Sequence, residues 1–425
     1  MSMNRLCRAR TPARSHLPKY RHSRTFIADA GPFRPGDHVL LRPTKDRNAS
    51  PILTKPLRAG QRLDTHRGAI RHDDLIGKNA RELVRSAGGR SGTAEYRLHE
   101  LKLEEYVRLT RRLVTPLYPQ DAQLIVGLLD LHPEPPRWGE SDSTRLAKLE
   151  ILEAGTGHGA LTLYLSRAIH AANPPLPRPS DAAPTAGDEE ESDDPALEAW
   201  KATRRAVIHS IEISAKSSTH AEKVVRGFRH GMYSPNVDFH VGDVSAWSTA
   251  LLASRGDHQP CLSHAFLDLP GTEHHLGAVT AALRTDGTLV VFCPSITQIM
   301  ACLSTVKEDG VPLELEKVIE LGVNGGTGGR EWDVRAVKPR AAAAAAAAAK
   351  AAVEVEVEVE VGESREGSEA EGRTDSAVDV GEGQQVKQNS PEEGWKMVCR
   401  PKVGDMVVGG GFLGVFKKQR NRPGE

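Results

Sequence analysis

Leu149-Glu150-Ile151-Leu152-Glu153-Ala154-Gly155-Thr156-Gly157-His158-Gly159-Ala160 is the stretch on which the fold turns. A short apolar strand, Leu149–Glu153, runs into three alternating glycines, and the spacing beyond them predicts a helix over Ala160–Ala172. Glycines at a strand-to-helix turn let the backbone bend sharply and let a ligand approach the amides. The G-x-G-x-G spacing is ambiguous, because a dinucleotide site usually shows G-x-G-x-x-G with a helix amino end facing a pyrophosphate. A tight turn without any ligand is the plain alternative. The acid before the glycines favours a different ligand. S-adenosylmethionine has no phosphate but brings a carboxylate, an ammonium and a sulfonium; Glu153 at the strand end suits the ammonium, and the loop amides suit the carboxylate. Glu153, Ala154, Gly155, Thr156, Gly157, His158, Gly159 and Ala160 are therefore the expected donor loop.

Outward from this loop, strands and helices alternate. Ala206–Ile213, Val237–Val241, His264–Leu269 and Thr288–Cys293 read as strands, with helices near Ser217–His230 and after the last two strands, and Phe412–Phe416 as one more strand far downstream. Such alternation predicts an α/β domain with a parallel, doubly wound sheet. Acids recur at the strand ends. Glu212 would lie beside the glycine loop and accept both ribose hydroxyls, a role that dinucleotide enzymes also give to an acid there. Asp243 could take a hydrogen bond from an adenine amino group, or simply end a turn. In Phe266-Leu267-Asp268-Leu269-Pro270, Asp268 would face the transferred methyl across the switch crevice, where an acceptor amine is held, or serve as a structural cap. A nicotinamide-dependent oxidoreductase rests on the shared sheet alone.

The rest of the chain sets bounds. Its 425 residues allow two or three domains, and its 39% hydrophobic content is that of a soluble protein with no run of the length a membrane helix needs. The zero formal charge averages unequal parts: acids concentrate at Asp188–Asp194 and Glu354–Glu371, leaving the remainder basic and able to meet a polyanion such as RNA. The five cysteines form no C-x-x-C pair, and the seventeen histidines give no metal spacing, so neither a disulfide framework nor a metal site is expected. Residues 1–28 carry seven Arg/Lys with hydroxyl residues and no acid, the pattern of a mitochondrial transit peptide, or else of a basic tail. A small β-rich domain is expected over 29–100, including a turn and strand at Phe33–Arg42 and a strand at Glu95–Leu98, with helical spacing over Leu101–Arg112. The methyl-transfer domain would run over 101–425, interrupted at about 173–195 and 339–393 by insertions too poor in apolar residues to form a core.

With these motifs in place, the chain resembles the tRNA (adenine-58-N1) methyltransferases from about Phe33 to Lys417. The likeness rests on Pro35-Gly36-Asp37-His38-Val39-Leu40-Leu41, His72-Asp73-Asp74-Leu75-Ile76-Gly77-Lys78, Tyr118-Pro119-Gln120-Asp121 and the Glu153–Thr162 loop. Phe266–Pro270, Pro294-Ser295-Ile296-Thr297-Gln298, Arg330-Glu331-Trp332 and Gly411-Phe412-Leu413 extend it. It implies an open, doubly wound, seven-stranded, Rossmann-like methyltransferase sheet behind a small β-rich domain. It further implies S-adenosyl-L-methionine as cofactor, Asp268 orienting the adenine through its exocyclic amine, Tyr118 near the target, and Thr115 on the donor side. The expected partners are tRNA, bound through the amino-terminal module and basic surface, and further subunits, as a homo-oligomer or with a non-catalytic paralogue. The expected location is the mitochondrial matrix. The chain departs from the family at Leu113-Val114-Thr115, where Arg-Thr-Gln is usual, at Gly271-Thr272 in place of a Pro-Trp pair, and at Ser217 in place of an arginine. Those departures give the alternative expectation of a donor-binding but weakly catalytic or non-catalytic RNA-binding subunit or assembly factor.

Overall fold

The computed structural model describes residues 31–46, 49–88, 93–135, 148–176, 195–255, 259–322, 332–337, 396–401 and 410–420. The expected transit peptide and nearly all of both expected insertions lie outside these residues.

The amino-terminal module is built from β1 (Leu40–Pro43), β2 (Ile52–Leu53), β3 (Arg62–Thr65), β4 (Gly68–Arg71), β5 (Leu83–Arg85) and β6 (Glu95–His99). Four strands pair in the order β2-β1-β6-β5, and β3 with β4 forms a separate hairpin. Side chains alternate along β6, with Tyr96 and Leu98 buried and Arg97 exposed, as a one-sided sheet requires. The buried set, including Val39, Leu41, Leu57, Ile70, Leu75, Tyr96 and Leu98, makes one apolar core. Two helices follow: α1 (Leu103–Leu109), and α2 (Pro119–Leu129), which starts on the proline of the Tyr118-Pro119 motif. Proline suits a first helical position because no amide is needed there. Tyr106 of α1 donates its hydroxyl to the Val224 carbonyl at 2.7 Å, and His230 meets Asp37 at 2.7 Å, joining the module to the larger sheet.

The larger domain contains β7 (Leu149–Ala154), α3 (Ala160–Ile169), α4 (Pro195–Thr203), β8 (Ala206–Glu212), α5 (Ala215–Gly227), β9 (Val237–Val241), α6 (Val244–Ser254), β10 (Leu262–Leu267), α7 (Leu276–Ala282), β11 (Leu283–Cys293), α8 (Ile296–Glu308), β12 (Leu313–Leu321), β13 (Trp332–Val337), β14 (Lys396–Pro401) and β15 (Gly411–Lys418). Seven strands make one sheet in the order β12-β15-β11-β10-β7-β8-β9. The pairs β7–β8, β8–β9, β7–β10 and β10–β11 are parallel. Helices cover both faces, so β7 and β8 are buried almost throughout rather than alternating. The strand order reverses between β7 and β10, the switch point at whose carboxyl ends an open α/β sheet binds its ligands.

Some boundaries differ from the sequence reading. The helix expected to reach His230 ends at Gly227, because Arg229, His230 and Gly231 turn the chain through left-handed backbone (φ 45°, 54° and 74°). The strand expected from Thr288 begins at Leu283. The expected mark Pro294–Gln298 is a helix start: Ser295 accepts from the Thr297 amide while Gln298 reaches back to the Ser295 amide, a capping box on α8. One compact unit comprises residues up to Val318 and from Leu413 onward, and a second comprises Ile319–Phe412. In the second, β13 and β14 pair antiparallel, Trp332 opposite Pro401 through Val337 opposite Lys396. Among the described residues no helix is long and apolar enough to cross a membrane.

Candidate active site

The glycine turn joins β7 to α3 at the switch point. Gly155, Gly157 and Gly159 all have positive φ (88°, 54° and 81°). Gly155 also stands where no side chain fits, and Gly159 where one would be tight. A Cβ on Gly155 would lie 2.1 Å from the Asp268 carbonyl oxygen, and one on Gly159 would lie 3.1 Å from the Ala221 carbonyl of α5. The turn is thus pressed against the end of β10 on one side and against α5 on the other. Its amides are anchored as well: Gly155 donates to Ile211 at 2.9 Å, and the Asp268 amide donates to the Ala154 carbonyl at 2.9 Å.

Glu212 closes over the turn from the end of β8. One carboxylate oxygen accepts from the Gly157 amide at 3.0 Å and the other from the Ser214 amide at 3.1 Å. Beyond it, Ile213 is 75% exposed, and Val241 at the end of β9 is 59% exposed. These apolar side chains at adjacent strand ends offer walls for a flat ring. The sequence reading passed over them, although an apolar residue directly after a strand-end acid is a signal open to it.

Glu153 does not reach into the crevice. Expected to meet the donor ammonium, it instead lies beneath the turn, 1% exposed. The Thr162 and Ser210 hydroxyls donate to the same carboxylate oxygen at 2.7 and 2.9 Å, and Thr156 of the turn meets Ser210 at 2.7 Å. Burial raises the Glu153 pKa to about 7, against the pull of these hydroxyls. A carboxyl deep in apolar surroundings holds its proton because the charged form loses its hydration. Thr162 and Ser210 complete this support, and nothing in the local motif announces Ser210.

Asp268, half-buried at the end of β10, sits at the other lip of the switch point. Its pKa rises to about 6, first through burial and then through the Glu212 carboxylate. The Asp268 charge in turn acts on Glu153. Three carboxyl groups from β7, β8 and β10 therefore lie at one turn, Glu153 beneath it and Glu212 and Asp268 at its mouth.

The remaining expected residues are spread around this centre. Asp243 caps α6, one oxygen accepting from the Ala246 amide at 2.9 Å and the other 3.8 Å from His275 Nδ1. His275 bonds the Ser245 hydroxyl at 2.7 Å, which ties the loop after Asp268 to α6. His158 is buried beside α5 rather than exposed on the turn. It is 2% exposed, packs 5.9 Å from the His220 ring, and is kept neutral by burial, with a pKa lowered to about 4. Ala154 and Ala160 are buried at the turn's two ends. Thr115 is exposed in the linker before α2, and its neighbour Val114 lies over the turn, 3.3 Å from where a Gly157 Cβ would be. Tyr118 precedes α2 with its ring 5.6 Å from the Arg112 guanidinium.

Comparison with known proteins adds to this geometry. Residues 31–80, covering β1 to β4, match the family model described as TrmI-like N-terminal. Over 291 residues the chain is 28% identical to the tRNA (adenine(58)-N(1))-methyltransferase TrmI of Thermus thermophilus, a match spanning 68% of this chain and 86% of that one. The chain is similar to TrmI over most of its length. A solved S-adenosylmethionine-dependent O-methyltransferase of Thermotoga maritima shares the fold, with a TM-score of 0.54 at 16% identity over 93% of this chain and 98% of that one. The relationship to TrmI thus spans both the amino-terminal module and the sheet that carries the carboxylates, and the sheet is a methyltransferase sheet.

Proposed function

We infer that the chain is an S-adenosylmethionine-dependent methyltransferase that acts on tRNA and forms N1-methyladenosine at position 58. The observation that carries the donor half is the pair of acids, Glu212 and Asp268, at the mouth of the glycine turn. Two anionic phosphates would be repelled there, whereas a sulfonium and an ammonium are complementary to it. The glycine cradle fits as well, since a Cβ at Gly155 would fill it. The acceptor half is supported by the relationship to TrmI.

When bound, the donor supplies an electrophilic methyl carbon on a positively charged sulfur. The chain's residues do the rest. Glu212, already on the loop amides, is placed to take the ribose hydroxyls in exchange, and Ile213 and Val241 flank the base. Asp268 accepts a hydrogen bond from the exocyclic amine of the target adenine, which fixes the ring and raises electron density at N1. Methylation at N1 would leave the adenine cationic, with the donor's sulfur keeping the electron pair of its former bond to the methyl carbon. The positive charge so passes to the adenine, beside the Asp268 carboxylate, which stabilises it there. Positioning and this electrostatic complementarity supply the acceleration.

The amino-terminal module and the basic remainder of the chain are assigned to tRNA binding, with phosphate contacts setting the register. The arginine-rich, acid-free stretch over residues 1–28 supports import into the mitochondrial matrix, and the resemblance supports an assembly of several subunits, of this chain or with a paralogue. The test is methyl transfer to an unmodified tRNA transcript, with the product mapped by mass spectrometry. N1-methyladenosine at position 58, lost in Asp268→Ala, is the expected result; equal activity in that variant would remove Asp268 from the mechanism. A fusion of residues 1–28 to a fluorescent protein, and light scattering of the purified chain, test location and assembly.

A further inference from the structure

The amino-terminal module places arginine directly opposite arginine on two ladders. Arg42 of β1 faces Arg97 of β6, and Arg62 of β3 faces Arg71 of β4. Like charges directly opposite one another destabilise a strand pair, so each arrangement calls for an anion to offset it. On the first ladder the chain provides one, because the Arg42 guanidinium pairs with Glu105 of α1. On the second it provides only half. Arg62 meets Asp64 at 3.2 Å, with both side chains about two-thirds exposed (68% and 69%). Arg71 is exposed and has no acidic partner among the described residues. Asp73, two residues further on, is committed to the Gly60 amide at 3.1 and 3.2 Å.

Arg62 and Arg71 line an open groove of about 830 Å³, whose other polar side chains are Gln61, Asp64, Thr65 and His66. Asp64 is the single acid on its wall. The opposite face of the same hairpin carries Leu63 and Ile70 into the module's core, so packing fixes the spacing of the two arginines. Guanidinium forks match phosphate oxygens in pairs, and a groove walled by two arginines and small residues, with no Phe, Tyr or Trp, suits a sugar-phosphate backbone better than a stacked base.

We propose that this groove binds the RNA backbone, with Arg62 and Arg71 each engaging a phosphate of the tRNA outside the methyl-transfer crevice. The proposal rests on the reading of the chain as a tRNA methyltransferase, and it assigns the unbalanced ladder to substrate affinity rather than to stability.

The test uses the full chain and compares it with R62Q/R71Q and R62K/R71K. Binding to a tRNA transcript is followed by fluorescence anisotropy from 50 to 300 mM salt, alongside steady-state methylation and thermal melting. Losing two phosphate contacts should lower the slope of log affinity against log salt by about 1.4 to 1.8 and weaken binding roughly tenfold or more near 0.15 M salt. The KM for tRNA should rise with it, while kcat at saturating tRNA and the affinity for S-adenosylmethionine hold. The lysine variant should keep the slope, and the glutamine variant should melt at the same temperature as the parent or higher. A parent that methylates tRNA beside a glutamine variant with unchanged KM and slope overturns the groove alone. A parent that neither binds nor methylates tRNA overturns the functional reading, and the groove's ligand with it.

Discussion

Replacing Gly155 by alanine tests the join between the donor turn and the acceptor side. The added Cβ would stand 2.1 Å from the Asp268 carbonyl oxygen, where carbon and oxygen normally keep about 3.3 Å. The turn and the end of β10 must therefore separate by more than about 1 Å. Three costs follow. Alanine at a φ of 88° sits in left-handed backbone, at about 1 to 2 kcal/mol. The displacement strains the 2.9 Å bond from the Asp268 amide to the Ala154 carbonyl, worth about 0.5 to 1.5 kcal/mol. Catalysis suffers most, because a misplacement of about 1 Å can lower a rate about a hundredfold, equivalent to about 2.7 kcal/mol of barrier. The expected outcome is a folded but less stable G155A protein whose kcat/KM for tRNA methylation falls at least that far. Gly157→Ala keeps the experiment informative if G155A does not fold. At Gly157 the new Cβ meets only the movable Val114 side chain, at 3.3 Å, besides its own turn, so this variant should lose far less kcat. Folded G155A with kcat/KM within threefold of the parent would refute the idea that the Gly155–Asp268 approach sets the reaction geometry.

Three further outcomes follow from the same site. Only the ionised Asp268 carboxylate offsets the positive charge that develops on the adenine, and its pKa is raised to about 6, so kcat/KM should climb through that pH and level off above it; a flat profile from pH 5 to 8 would contradict the role. Glu153 is neutral in the fold up to about pH 7 but ionises near its ordinary 4.5 when unfolded. The sign is therefore a loss of stability as pH rises between these values, about 3 kcal/mol at most. Glu153→Gln should remove that loss, so urea midpoints of parent and variant should diverge from pH 5 to pH 8 in the variant's favour. Asp243→Ala forfeits the cap of α6, about 1 kcal/mol, and should also weaken S-adenosylmethionine binding in calorimetry; unchanged binding would leave Asp243 with the cap alone.

Much of this architecture was legible because buried parallel strands announce themselves. Leu149–Glu153 reads as a buried apolar strand and Val237–Val241 as an alternating, part-buried one, and the acids at or just past their ends mark the carboxyl edge of the sheet. Other parts were hidden for physical reasons. Strand β12 is an edge strand with glutamates and a lysine along an exposed face, as edges are kept from pairing further, so its apolar signal is faint. Helix α4 buries Trp200 alone, too little for a periodic stripe. The placing of Glu153 was beyond the motif as well. Which face of β7 its side chain takes depends on where α3 packs, and its partner Ser210 lies 57 residues away on a neighbouring strand.

The central ambiguity of the sequence was chemical, and only the assembled sheet resolves it. Three glycines and a strand-end acid serve a dinucleotide nearly as well as a sulfonium, because each residue taken singly is compatible with both. The distinction lies in the sum. Glu212 over the Gly157 amide and the Asp268 carboxyl at the end of β10 place two acids at one turn, with Glu153 buried beneath it. In partly desolvated surroundings like charges raise one another's pKa, as they do at Asp268 and Glu153. A pyrophosphate would add to that repulsion, whereas a cationic donor relieves it. Saturating S-adenosylmethionine should therefore lower the pKa of Asp268, moving the acid limb of kcat below that of kcat/KM. The same limb in both profiles would mean that Asp268 does not feel the donor's charge.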